Sequence, residues 1–64
     1  MAISIRAARV NAGLTQTQVG ESVGKSKGTI ASYENYVTKV PIDVALAMAK
    51  LFGMSVDDIV WTAE

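Results

Sequence analysis

Asp57 and Asp58 are the neighbouring side chains in this sequence that look most like a catalytic carboxylate pair. Neighbours in the first turn of a helix point in different directions, so the two carboxylates cannot act on one atom. The positive end of a helix also attracts acidic residues for structural reasons. The chain has no cysteine and no histidine, which excludes thiolate nucleophiles, imidazole catalysis and metal sites built on either side chain. We therefore expect no enzyme activity, no metal and no other cofactor.

The composition is that of one small folded domain spanning residues 1–64. Half of the residues are hydrophobic and 19% are charged, which is too apolar for a disordered chain. The longest apolar run, 44–49, is far shorter than the ~20 residues that cross a bilayer. The N-terminus shows no basic leader followed by an apolar block. We expect a cytoplasmic protein that does not enter a membrane.

Charge is distributed unevenly, although Lys+Arg 6 balances Asp+Glu 6. Residues 25–40 carry three lysines against one acid, whereas residues 41–64 carry one lysine against four acids. A basic segment is a weak sign of nucleic-acid binding, because binders usually show a stronger excess. A solvated protein face explains the same lysines equally simply.

Glycines and hydroxyl residues mark the ends of helices along the chain. Thr15 stands three residues before Gln18, which is the spacing of a capping box. Gly13, Gly24 and Gly53 each follow an apolar segment and can end a helix in the left-handed conformation. No segment alternates polar and apolar residues as a half-buried strand does. The sequence predicts an all-α, compact five-helix domain with helices at about 3–12, 16–23, 27–35, 43–52 and 56–61.

The second and third helices form a helix-turn-helix pair, because only residues 24–26 connect them. Ile30 and Tyr33 form the inner stripe of the third helix. On a helical wheel, the opposite face is small and polar, and such a face can approach base edges closely. The same composition also suits packing against another helix or plain solvation, and the face alone does not decide between them. The residues on this outer face are Lys27, Gly28, Ala31, Ser32 and Asn35.

A longer pattern of residues surrounds this pair. It consists of 9–16 (Arg-Val-Asn-Ala-Gly-Leu-Thr-Gln), Val19, Gly20, Val23, Gly24, Ile30, Tyr33, Glu34, Asn35, Pro41 and 52–56 (Phe-Gly-Met-Ser-Val). With this pattern, the sequence resembles the Cro and phage-repressor type of helix-turn-helix DNA-binding domain over nearly its whole length. The resemblance implies a lambda-repressor-like fold and a small bacterial or phage transcription regulator, located in the cytoplasm of a bacterium or a phage-infected cell.

The resemblance also implies roles for individual residues. Arg9 and Glu34 correspond to a structural ion pair that ties the first helix to the end of the third. The start and outer face of the third helix correspond to the part that reads bases, and the start of the second helix and the loop after the third correspond to phosphate contacts. The implied base contacts are Ser26, Lys27, Gly28 and Ser32, with Lys25 and Thr29 flanking them, and the implied phosphate contacts are Gln16, Asn35 and Lys39.

The sequence departs from the family pattern at Tyr36, where a glycine usually follows Glu34 and Asn35. A left-handed turn at Asn35 would accommodate this change. Val40 replaces a frequently basic loop residue, and Gly28 lacks the side chain that often reads a base there. We expect both departures to make affinity and selectivity modest.

The implied partner is a double-stranded DNA operator, bound by a homodimer, because one short helix reads only a few base pairs. Candidates for a self-complementary patch are Met54, Val56, Val60 and Trp61, although Trp61 could equally close the core. The alternative function is a protein-interaction module on the same fold, such as the partner-binding half of a toxin and antitoxin pair. The neutral net charge and the loop with few basic residues favour that alternative.

Overall fold

Four α-helices make up most of the structure, which is a computed structural model that describes residues 1–63. The helices confirm the predicted all-α fold class, with one 3-10 turn and one pair of very short strands added. Glu64, counted above in the domain and among its acids, lies outside the described residues. The elements are β1 Ile3–Ser4, α1 Ile5–Asn11, α2 Gln16–Val23, α3 Lys27–Glu34, α4 Ile42–Phe52, the 3-10 turn Val56–Asp58 and β2 Ile59–Val60.

The capping signals act as the sequence predicts. The Thr15 hydroxyl accepts a hydrogen bond from the backbone N–H of Gln18 at 3.1 Å, and the Gln18 side chain accepts one from Thr15 N–H at 2.8 Å. These two bonds form the capping box that starts α2. Gly24 and Gly53 end α2 and α4 with φ angles of 74° and 72°, as expected for left-handed terminators.

Both ends of the chain depart from the predicted helices. The first helix begins at Ile5 rather than near residue 3, because Ile3 and Ser4 pair in parallel with Ile59 and Val60. The predicted helix at 56–61 is wrong beyond Asp58, where the chain becomes extended. Ile59 is buried against the core in this extended form, and β-branched residues favour it.

Three further helix boundaries shift by one residue. The first helix ends at Asn11 rather than at residue 12, which is its C-cap. The fourth helix begins at Ile42 rather than Asp43, with Pro41 as its N-cap residue and no side-chain cap. The third helix ends at Glu34, and Asn35 is its C-cap residue. Differences of this size are common at helix ends.

The core lies between α1, α2, α3 and α4 and contains the inner stripe of α3. Ile30 is fully buried, and Tyr33 is 3% exposed. Burial of a large apolar side chain contributes ~1.5–3 kcal/mol to folding, so these residues hold α3 firmly against the body. The other fully buried large side chains are Ile5, Val19 and Met48.

The corner between α2 and α3 depends on Gly20. A Cβ at this position would clash with the backbone carbonyl oxygen of Lys25. The same region closes with a hydrogen bond from Lys25 N–H to the Gly20 carbonyl at 2.8 Å. Close approach of two backbone segments therefore sets the angle at which α3 leaves the turn.

The turn after α3 is made by Tyr36 and not by Asn35. Asn35 has φ −90°, whereas Tyr36 has φ 58°, so the left-handed turn that would have accommodated Tyr36 does not form at Asn35, and Tyr36 itself takes that conformation. The Tyr36 hydroxyl donates to the Val60 carbonyl at 2.8 Å. This bond to β2 holds a bulky residue in a conformation that usually favours glycine.

Candidate nucleic-acid interface

The outer face of α3 is accessible from its first turn to its last. Lys27 and Gly28 are exposed, and Ala31 and Ser32 are half-buried. Lys25, which precedes the helix, is also exposed. The accessible residues alternate with the buried inner stripe as the helical wheel predicts, so this face can meet an external partner.

Ser26, a sequence-predicted base contact, is bonded to Thr29, a predicted flanking contact. The Ser26 hydroxyl accepts from the backbone N–H of Thr29 at 3.1 Å and lies 2.9 Å from the Thr29 hydroxyl oxygen. Ser26 is thus the N-cap of α3, and its oxygen is already bonded to the helix backbone. Within residues 1–63, the side chains of Lys27 and Ser32 make no hydrogen bond to the protein, so these two remain available to a base.

Gly28 leaves open space on the same face. A Cβ built there would meet only the Ser26 hydroxyl oxygen, at 3.9 Å. The glycine is therefore not required by local packing. Its small size lowers the helix surface between Lys27 and Thr29, which allows a closer approach by a large partner.

Glu34 forms a charged cluster at the other end of α3. Its side chain is fully buried, and its Oε2 accepts from Arg9 Nε at 2.5 Å. Gln16 Nε2 and Arg6 Nε donate to Oε1 at 3.1 and 3.2 Å. Arg9 also donates to the Leu14 carbonyl at 2.8 Å. The pairing of Arg9 and Glu34 that the resemblance implies is present, and it joins α1, α2 and α3.

The environment of Glu34 keeps its carboxylate ionised. Burial alone would raise the pKa of Glu34, but hydrogen bonds from Arg9, Gln16 and Arg6 and the positive charge of Arg9 outweigh that effect. The pKa of Glu34 therefore lies below its ordinary value of 4.5. A buried carboxylate with this many donors is a structural anchor near neutral pH.

The three predicted phosphate contacts lie at the edges of the α2–α3 pair. Gln16 begins α2 and is half-buried, with its amide turned toward Glu34. Asn35 is exposed just after α3, and its side-chain oxygen accepts from Arg6 Nη2 at 2.9 Å. Lys39 is exposed in the following loop. The Glu34 cluster thus connects Gln16 with Asn35 and leaves Lys39 apart.

Sequence reasoning missed Arg6, which contacts both Glu34 and Asn35. Its spacing of three residues from Arg9 was the available signal, because residues three apart lie on the same side of a helix. Sequence reasoning also missed Tyr36 as an anchor of the turn. No local pattern indicates its partner, which is 24 residues away.

A family model described as helix-turn-helix matches residues 5–59, from the first residue of α1 to the first residue of β2. The chain belongs to the Cro and phage-repressor type of the helix-turn-helix family. This family consists of non-enzymatic, DNA-binding transcription regulators. Membership confirms the resemblance and the expectation that this helix-turn-helix protein is not an enzyme.

One relative of this helix-turn-helix protein covers almost the whole chain. It is YgzD of Bacillus subtilis, described as an uncharacterized helix-turn-helix-type transcriptional regulator. The two sequences are 30% identical over 60 residues, which is 94% of this chain and 91% of the relative. No solved structure matches this chain significantly.

A second accessible surface of the helix-turn-helix domain is an apolar groove of about 500 Å³. Trp61 forms one wall, and its indole N–H donates to the Val56 carbonyl at 2.8 Å. Trp61, Val56 and Met54 are all partly buried against the core, whereas Val60 remains exposed. Trp61 therefore contributes to both the core and the surface. The groove is lined by Lys39, Val40, Pro41, Ile42, Ala45, Val56, Trp61 and Thr62.

Residues 1–63 contain neither a metal-binding cluster of acids nor a membrane-spanning helix. Their acidic side chains form no group of three or more that could hold a metal ion. None of their helices combines the length and the apolar character that a lipid bilayer requires of a spanning helix.

Proposed function

We propose that this helix-turn-helix domain is a sequence-specific regulator that places α3 in the major groove of a double-stranded operator. The observation that carries the proposal is the outer face of α3. It is accessible and small, and it offers Lys27 and Ser32 without protein partners in the described chain, while Ile30 and Tyr33 anchor the opposite face. The proposed setting is the cytoplasm of a bacterium or a phage-infected cell.

Base reading in this proposal depends mainly on Lys27 and Ser32. A lysine can donate to the O6 and N7 acceptors of guanine, and a serine hydroxyl can bond to either kind of base group. Gly28 allows the helix to approach the base edges. Ser26 caps α3 and so stabilises the helix that reads the bases. Any contact between its hydroxyl and a base is made in addition to this capping bond. Lys25 and Thr29 flank the reading surface.

Phosphate contacts in this proposal fix the orientation of α3 in the groove. Gln16 lies at the start of α2, where backbone N–H groups and the helix dipole attract an anion. Asn35 and Lys39 follow α3 and meet the phosphate backbone on the other side of the groove. Such contacts position the protein but do not distinguish sequences.

The proposed assembly on DNA is a symmetric homodimer, in which two α3 helices enter successive turns of one groove, ~34 Å apart. Exposed Val60 and the adjoining groove beside Trp61 supply an apolar surface for the second copy. A dimer of this kind binds an inverted repeat, because its own two-fold axis must match that of the operator. In this proposal the dimer acts as a repressor, by blocking access to the promoter when it occupies the operator.

The proposal is tested by selecting bound duplexes from a random DNA pool and measuring their affinity as a function of salt. We expect enrichment of an inverted repeat with half-sites centred ~10 base pairs apart. We also expect log K to fall linearly with log salt, with a slope of about −0.9 for each phosphate contacted. An unenriched pool together with salt-independent binding would contradict the proposal.

A protein-interaction module is the second candidate function, and the apolar surface favours it. Ile42 is 71% exposed and Leu46 is 53% exposed on one side of α4, and the net charge of the chain is zero. A protein partner, as in a toxin and antitoxin pair, could cover this side of α4. The same experiment separates the two candidates, because an interaction module shows no salt-dependent affinity for any duplex.

A further inference from the structure

Arg6 is a positive side chain that the protein orients without burying. Its side chain is 55% exposed, compared with 15% for Arg9 and none for Glu34. Nevertheless, Arg6 Nε donates to Glu34 Oε1 at 3.2 Å, and Arg6 Nη2 donates to Asn35 Oδ1 at 2.9 Å. Two hydrogen bonds thus hold an accessible guanidinium in one direction.

The cluster does not need the charge of Arg6 to neutralise Glu34. Arg9 makes the shortest contact with that carboxylate and lies largely buried beside it, so it already supplies one compensating positive charge. Gln16 and Arg9 Nη2 also donate to the same Oε1 atom that Arg6 reaches. The group of Arg6, Arg9 and Glu34 therefore carries one surplus positive charge, and Arg6 is its most accessible member.

The guanidinium of Arg6 also has unused donors. An arginine has more N–H groups than the two that Arg6 uses within the protein, and these groups form a planar fork that matches the oxygens of a phosphate. The accessible part of the side chain can present them to solvent.

The position of Arg6 connects it to the residues that flank α3. Asn35 accepts directly from Arg6, and Gln16 shares the Glu34 oxygen with it. Both neighbours are phosphate contacts in the function proposed above. We propose that Arg6 is a further phosphate-contacting residue, which binds the DNA backbone beside Asn35 while Glu34 keeps it in position. This inference rests on the proposed function and extends the DNA-contacting surface to α1.

The test compares Arg6→Gln with Lys50→Gln, which removes an equal charge at a different place. Lys50 is exposed in the last turn of α4, where it lines a surface cleft with Ser22 and Val23 at the end of α2 opposite Gln16. Each variant is titrated with the selected duplex and with a mixed-sequence duplex of equal length, over a range of salt concentrations. Thermal unfolding of each variant establishes that it is folded at the assay temperature.

For Arg6→Gln, we expect the magnitude of the salt slope to fall by about 0.9, the value for one lost phosphate contact, on both duplexes. The slope for Lys50→Gln should equal that of the wild type. Arg6→Lys should keep the slope but bind several-fold more weakly, because an ammonium group cannot contact Asn35 and a phosphate through one planar fork.

An unchanged slope for folded Arg6→Gln would overturn this inference and leave Arg6 as a support for Glu34 alone. The proposed function would stand in that case, since the wild type would still bind with its full salt dependence. Salt-independent binding by the wild type is a different result, which would overturn the proposed function and this inference together.

Discussion

The two ends of α3 use their polar side chains in opposite ways. At the C-terminal end, Glu34 is buried and accepts hydrogen bonds from α1 and α2. At the N-terminal end, Lys27 is exposed and Gly28 is open to solvent, and only Ser26 is committed to the helix itself. One short helix thus carries an end that fixes the fold and an end that can read a partner. Substitutions at the two ends should affect different measured properties.

The largest expected effect is at the fixed end, with Glu34→Ala. Removal of this acid leaves Arg9 largely buried without its counter-charge, which costs ~3–5 kcal/mol when one partner of a buried pair is lost. The free energy of unfolding, measured by urea denaturation, should fall by an amount in this range. Glu21→Ala is the control, because Glu21 is exposed on α2. Equal stability of the two variants would contradict a structural role for Glu34.

The pH dependence of stability tests the charge of Glu34, because Glu34→Gln keeps the size of the side chain. The pKa of Glu34 is lowered in the folded protein, so its contribution to stability is fully present above the unfolded-state value, near 4.5. This contribution is lost as the pH falls through the lower folded-state pKa. As the pH is lowered from about 5, we expect the free energy of unfolding to fall less for Glu34→Gln than for the wild type. Parallel curves for the two proteins would assign the acid sensitivity to other carboxylates.

The corner that sets the direction of α3 is tested by a pair of glycine substitutions. Gly20→Ala should destabilise the protein by ~1–3 kcal/mol, because its Cβ meets the Lys25 carbonyl oxygen and forces the backbone to shift. Gly28→Ala has room for its Cβ and should be neutral or stabilising by up to ~1 kcal/mol. Thermal unfolding of both variants checks this. A destabilised Gly28→Ala would show that the reading end is also constrained by packing.

At the reading end, substitutions should change which sequences are bound. Lys27→Ala or Ser32→Ala should alter base preference by ~1–3 kcal/mol at the contacted position, with unchanged melting. Lys39→Ala should instead weaken binding evenly across sequences, because a phosphate contact carries no sequence information. Affinities for the selected operator and its single-base variants measure both effects. If none of the three substitutions changes binding, α3 is not the reading element.

The smallest effect is expected for the turn that follows α3. Tyr36→Phe keeps the ring and the positive φ but removes the bond from the hydroxyl to the Val60 carbonyl, which is worth ~0.5–1.5 kcal/mol. The midpoint of chemical denaturation should decrease accordingly. Tyr33→Phe is the matched control, because no protein hydrogen bond of the Tyr33 hydroxyl occurs in residues 1–63. Equal losses for the two variants would show that the bond to β2 does not hold the turn.

The sequence predicts the parts of this fold that depend on neighbours along the chain. The Thr15 and Gln18 capping box, the glycine terminators and the buried stripe of α3 all follow from local spacing. The pairing of Ile3 with Ile59 could not be predicted, because two-residue strands are too short to show alternation and their partner is distant. The contact of Tyr36 escaped prediction because its partner is distant in the sequence. The spacing of Arg6 from Arg9 indicates a shared side of α1, but the partners of Arg6 depend on where the end of α3 lies in the folded domain.

The central claim is that the outer face of α3 is the surface that meets DNA. The most direct measurement is an NMR titration of the labelled protein with the selected duplex, following each backbone amide. The claim predicts the largest shifts at residues 25–32, smaller shifts at Gln16 and at 35–39, and little change at the end of α4. Shifts concentrated around Ile42, Leu46 and Trp61, with the amides of α3 unaffected, would contradict it.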